Sequence, residues 1–120
     1  AVTNVENEEM AHIVRKNSRF VVSFGDCATT GNVTAMRNQF STNEIIERSY
    51  KELADISNSL PNDHTVIAQL CEQALPLHHV IRVDAFLQGC PPTPDGIWFA
   101  MNELLEGRLP KFSTQYLRYG

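Results

Sequence analysis

Apolar residues recur at helical spacing in four stretches of the chain and form short unbroken runs in two others. Met10, Ile13 and Val14 lie three and four residues apart after a Thr3/Glu6 pair with capping-box spacing, which predicts an amphipathic helix over residues 5–17 with Asn17 as its stop. Phe20, Val21, Val22, Ser23 and Phe24 are almost wholly apolar and end at Gly25, the pattern of a strand buried on both faces. Ser41 and Glu44 repeat the capping spacing before Ile45, Ile46, Ser49, Leu53 and Ile56, which share one helical stripe. Residues 60–64 have turn composition, and Val66, Ile67, Leu70, Cys71 and Ala74 then predict a shorter helix ended by Pro76. Residues 80–87 read as a second strand, stopped before Pro91 and Pro92, which cannot donate to a ladder. The last helix has Thr93 as cap, Pro94 at its first position, a buried face of Ile97, Trp98, Met101, Leu104 and Leu105, and Gly107 as a left-handed stop. Residues 108–120 are expected to be irregular.

Strands alternating with helices imply an α/β architecture: a parallel sheet with helices on both faces. Two strands alone leave both sheet edges unpaired and bury little apolar surface. The expected unit is therefore one partial domain over residues 1–120, incomplete at its amino end. The absence of an initiator Met and the acidic start at Val5-Glu6-Asn7-Glu8-Glu9 agree with a cut chain.

Composition narrows the function classes. The chain is 42% hydrophobic and 20% charged, as in a folded globular protein. No apolar run approaches the roughly 18 residues of a membrane-spanning helix, and no signal peptide is recognisable, so no transmembrane segment is expected. A formal net charge of −4 with scattered basic residues argues against nucleic acid as a partner. Three cysteines cannot form a closed disulfide set, which suits a reducing, cytoplasmic setting.

Both predicted strands finish alike, with Gly25-Asp26-Cys27 after the first and Gly89-Cys90 after the second. The carboxyl edge of an open α/β sheet is where loops diverge and ligands bind, so two thiols can converge there. Gly25 and Gly89 permit tight turns, and Pro91 and Pro92 stiffen the second loop. Soft thiolates select zinc, copper or iron–sulfur clusters, and a four-iron cluster takes four cysteines, so two ligands would be missing. Taken alone, each thiol reads equally well as a small buried residue. A catalytic thiol would need a base such as His78 or His79, and the spacing fixes no such geometry.

The segment Gly25-Asp26-Cys27-Ala28-Thr29-Thr30-Gly31-Asn32-Val33-Thr34-Ala35-Met36-Arg37-Asn38, with residues 76–84 and Gly89-Cys90-Pro91-Pro92, resembles the small subunit of bidirectional, NAD-linked nickel–iron hydrogenases. The related 20 kDa-type subunit of complex I shares the Gly-x-Cys and Gly-Cys-Pro-Pro loops. The resemblance covers nearly the whole chain. It implies the carboxyl-terminal part of a flavodoxin-like domain, with Cys27 and Cys90 as ligands of the proximal 4Fe-4S cluster and Gly25, Gly89 and Pro91 supporting their loops. It further implies a nickel–iron centre on a large catalytic partner subunit, and flavin and NAD on diaphorase subunits, this chain itself carrying electrons and no catalytic centre. The family's amino-terminal CxxC motif has no counterpart here, so the remaining two ligands are expected outside this segment. The alternatives are a quinone-reducing complex I subunit and a cluster-free scaffold or interaction module.

Other candidates read more plainly. Cys71, on the apolar stripe of its helix with Val66, Ile67 and Leu70, is expected in the core rather than as a third cluster ligand. His12 and His64 are expected to be solvated, while His78 and His79 are expected to orient their loop. Asp26 and Asp84 flank the cysteine loops and are expected to cap turns rather than tune a cluster. Arg37 either finishes a short helix or meets a partner carboxylate. Trp98, Phe99 and Met101 suggest a flavin or quinone pocket, but their helical spacing is that of core residues.

Overall fold

The computed structural model describes residues 1–53 and 64–116. It opens with β1 (Val2–Asn4) and α1 (Val5–Asn17). The Asn4 side chain accepts a hydrogen bond from the Asn7 amide at 2.8 Å and caps α1; the cap is Asn4, not the expected Thr3. Glu6 and Glu8 in the first turn and Arg15 and Lys16 in the last oppose the helix dipole. Next come β2 (Val22–Phe24), α2 (Asp26–Thr30), α3 (Asn32–Ala35), a 3-10 turn at Met36–Gln39, and α4 (Thr42–Glu47), which continues as a π-helical turn over Arg48–Glu52. The Ser41/Glu44 capping box is present as read. Ile56 and most of the expected turn at residues 60–64 lie outside the described residues.

The helix expected through Val66–Ala74 is not formed. Leu70–Leu75 is instead a strand, β3, which pairs antiparallel with β1 in the register Val2↔Leu75. A short apolar run fits either period, and the β1 backbone supplied the partner that decided it. The expected strand over residues 80–87 is shorter: a 3-10 turn occupies Leu77–His79, and only Ala85–Leu87 forms β4. That strand pairs parallel with β2, in the register Val22↔Ala85 to Phe24↔Leu87. The last helix, α5 (Pro94–Leu105), begins as predicted with Thr93 accepting from the Gly96 amide at 3.2 Å. It ends at Gly107, whose φ is +74°. A 3-10 turn at Thr114–Tyr116 follows.

The architecture is mixed α/β with a short parallel pair, consistent with a flavodoxin-like fold. Ala11, Val21 and Ile81 form a small core cluster with Leu77 and Val80 packed on it, and Leu87 and Ser23 are fully buried. Gly96 lets the first turn of α5 sit on β4: a Cβ there would stand 3.3 Å from Leu87 Cδ1 and 3.0 Å from Thr93 Oγ1.

The predicted apolar faces are largely uncovered. On α5, Trp98 is 71% exposed, Met101 52% and Leu105 80%. Trp98 and Met101 are therefore not core residues, and Phe99 stacks instead on Tyr116 with ring centroids 5.0 Å apart. Met10, Ile13 and Val14 of α1 are exposed too, and Ala11 is that helix's buried residue. Helical periodicity marks an apolar stripe, but what covers the stripe is a matter of tertiary or quaternary contact.

Candidate metal centre

The parallel pairing of β2 and β4 sends both cysteine loops off the same edge of one sheet. The ladder continues past the strands. The Gly25 amide donates to the Leu87 carbonyl at 2.8 Å, and the Asp26 amide to the Gly89 carbonyl at 3.0 Å. In return the Gly89 amide donates to Asp26 Oδ1 at 2.7 Å. The residues immediately before Cys27 and Cys90 are thus bonded to each other twice, once through backbone and once through a side chain. The sequence places the two thiols on separate loops, and this pairing ties those loops together one residue short of each sulfur.

Glycine is required at both turns. Gly25 has φ +80° and faces the Gly89 carbonyl. Gly89 has φ +135°, and a Cβ there would fall 2.5 Å from Pro92 Cα, 2.7 Å from Pro92 N and 2.8 Å from the Pro91 carbonyl oxygen. The second loop folds so tightly over Gly89 that its backbone fills the space any side chain would need. Pro91 follows Cys90 through a cis peptide bond, and Pro92 is buried. Beneath the first loop, Thr29 Oγ1 donates to the Gly25 carbonyl at 2.9 Å and lies 3.5 Å from the fully buried Ser23 hydroxyl, so these polar groups are satisfied internally. Cys27 is half-buried and Cys90 exposed, and both are free thiols.

The donor set fits two corners of a thiolate-bound cluster. Cys27, in the first turn of α2, and Cys90, on the loop after β4, are two soft thiols beyond one sheet's carboxyl edge. Among the described residues no group of three or more His, Cys, Asp or Glu side chains is placed to hold a metal ion. Cys71 does not join them. It is half-buried on β3, in the other two-stranded sheet, with its sulfur 3.9 Å from Glu8 Oε2. Burial, then the Glu8 carboxylate, pushes its thiol pKa up, which keeps it protonated and a poor ligand. The expected core position on a helix is replaced by an edge position on a strand.

Asp84 does not flank the cysteine loops. It stands at the opposite, amino end of β4, paired with Arg15 of α1 and accepting from the Val21 amide at 2.9 Å. Arg37 lies in the 3-10 turn that finishes the helical segment, as one of its two readings has it, and its guanidinium also donates to the carbonyls of Cys71 at 2.8 Å and Thr3 at 3.1 Å, joining β3 to β1. His78 and His79 are exposed on their 3-10 turn and meet edge to face, with His78 also against Phe86 at 5.5 Å. One role escaped the sequence: Asn38 donates to the Ala74 carbonyl at 2.9 Å and accepts from the Ala74 amide at 2.7 Å, so its carboxamide pairs with β3 as a neighbouring strand would. An asparagine on a short helical turn gives no signal of that in one dimension.

Known proteins resemble this chain in sequence and in overall fold. Residues 1–104 match the family described as NADH ubiquinone oxidoreductase, 20 Kd subunit. The chain is 31% identical over 121 residues to the NAD-reducing hydrogenase HoxS subunit delta of Cupriavidus necator, covering 96% of this chain and 58% of that protein. It is 36% identical over 111 residues to a subunit of the F420-non-reducing hydrogenase of Methanothermobacter thermautotrophicus, covering 88% of this chain and 35% of that protein. It thus spans less than two thirds of the length of each of these relatives. A crystal structure of an NAD+-reducing nickel–iron hydrogenase in the H2-reduced state superposes with a TM-score of 0.88 at 37% identity, covering 98% of this chain and 67% of that one. The chain belongs to the NADH ubiquinone oxidoreductase 20 Kd subunit family.

Proposed function

We propose that this chain is part of the electron-transfer small subunit of a cytoplasmic nickel–iron hydrogenase, with Cys27 and Cys90 supplying two of four thiolates to the proximal 4Fe-4S cluster. Residues 1–120 then form the carboxyl-terminal part of the cluster-binding domain, and the other two thiolates come from outside this sequence. The observation that carries the reading is the double hydrogen bond between Asp26 and Gly89, which joins the two cysteine loops at the sheet's carboxyl edge. The hydrogenase relatives favour this context over a cluster-free scaffold.

The cluster, when bound, would accept and release single electrons between a nickel–iron large subunit and diaphorase subunits carrying flavin and NAD. This chain's own work is to hold two sulfurs at a fixed separation on loops that barely reorganise, and to keep backbone amides and local charge near them constant. Making no bonds, it needs no acid, base or nucleophile of its own.

The test is iron and acid-labile sulfide content, with electron paramagnetic resonance after reduction, on the full-length subunit in its complex purified anaerobically. A reduced-cluster signal that Cys90→Ser alters, together with loss of hydrogen-dependent NAD reduction, is the expected result. Unchanged turnover in that variant would remove Cys90 from the ligand set. A second reading, a quinone-reducing complex I subunit, is kept open by the family's description. Electron delivery to a quinone in place of NAD would favour it.

A further inference from the structure

We infer that Asp26 is the positioning residue that sets the separation and the electrostatic surroundings of Cys27 and Cys90; this rests on the cluster reading above. Its Oδ1 accepts from the Gly89 amide at 2.7 Å while its own amide donates to the Gly89 carbonyl at 3.0 Å. The two bonds close a ring between the residues that precede the two sulfurs, so neither loop can shift without breaking both. β2 and β4 are only three residues long, so strand pairing ends at Phe24 and Leu87, three residues before each cysteine. Past that point the two loops are coupled by Gly25 to Leu87 and then by Asp26, whose bonds are the last before the cysteines.

A neutral acceptor of the same length would serve the geometry equally well. An asparagine would keep an oxygen for the Gly89 amide, so what aspartate adds is a negative charge beside both ligand loops. A fixed negative charge favours the oxidised, more positive state of a bound cluster and lowers its reduction potential. Asp26 therefore has two separable effects: its acceptor oxygen holds geometry, and its charge sets potential.

Two variants of the full-length subunit in its complex separate them. Asp26→Asn keeps the acceptor and is expected to retain iron as the wild type does, with the cluster potential moved positive. Asp26→Ala removes the acceptor and is expected to lose iron to a chelator about tenfold more readily, in line with outer-shell partners of metal ligands. Its reduced-state paramagnetic resonance spectrum should also change, and its Gly89 amide should exchange hydrogen at least about tenfold faster. Equal iron retention, spectrum and Gly89 exchange in Asp26→Ala and wild type would overturn the geometric role. An unchanged potential in Asp26→Asn would overturn the electrostatic one, and that variant carries the test should Asp26→Ala fail to assemble. A wild type without iron at this site would instead sink the cluster reading itself, a distinct outcome.

Discussion

Arg15 on α1 and Asp84 at the foot of β4 form an ion pair, and the same carboxylate accepts the Val21 amide, so one side chain fastens the first helix to both strands of the parallel sheet. The Arg15 guanidinium also donates to the Ser18 carbonyl at 2.7 Å, which fixes the exit of α1 toward β2. These contacts sit at the end of the sheet away from the cysteines and keep β2 and β4 aligned, so that Cys27 and Cys90 leave from one edge.

The hydrogen bond from Arg15, then that from the Val21 amide, holds the Asp84 carboxyl below its ordinary value near 3.8. A depressed carboxylate pKa stabilises the fold fully above the unfolded value, and that stability is lost as pH falls through the folded value. Asp84→Asn is expected to lower stability by about 2 kcal/mol at neutral pH, the scale of hydrogen bonds to a charged group. The gap to wild type should shrink below about pH 4. Urea denaturation at pH 7 and pH 3 checks it; a gap independent of pH would show that the charge of Asp84 contributes nothing.

Gly89→Ala should be among the most damaging single changes. The new methyl would meet Pro92 backbone atoms at 2.5 and 2.7 Å, contacts that no flexible side chain can relieve. Backbone strain in this region adds a cost of about 1–3 kcal/mol. Chemical denaturation should register a loss of about 3 kcal/mol or more. A fully stable variant would mean that the second loop is not packed as described.

Asn38→Ala removes both bonds to Ala74, a residue only 1% exposed, and leaves its amide and carbonyl without those partners. The expected loss is about 1–3 kcal/mol. Asn38→Asp keeps the acceptor for the Ala74 amide and should fall between Ala and wild type. Ranking the three midpoints in urea tests the strand-mimic role, and equal midpoints would dismiss it.

Leu105→Gln with Met101→Gln should leave the folding midpoint nearly unchanged, because both side chains are exposed on α5. Their exposed apolar surface should instead show in solubility, which the double variant raises for this chain alone. Sedimentation of the isolated chain checks it. A large drop in midpoint would place these residues in the core after all.

The sequence by itself determined the local rules. The Ser41/Glu44 capping box, Thr93 and Pro94 at the head of α5, Gly107 at its end, the apolar run into β2 and the glycine turns at Gly25 and Gly89 all depend on neighbours a few residues away, so they are legible in one dimension. That the segments leading to Cys27 and Cys90 leave one sheet edge was suggested by two strand ends that read alike. Tertiary structure decided what depends on distant partners. Leu70–Leu75 became a strand because β1 offered it a backbone ladder, Asp84 was drawn to Arg15 and away from the cysteines, and Asn38 acquired a partner 36 residues away. Periodicity marked apolar faces on α1 and α5 but could not say whether the fold covers them, since burial belongs to the surface that meets the face and not to the face itself. The Asp26–Gly89 latch shares that origin: its two residues are 63 apart in the chain, and only the parallel register of β2 with β4 brings them within hydrogen-bond reach.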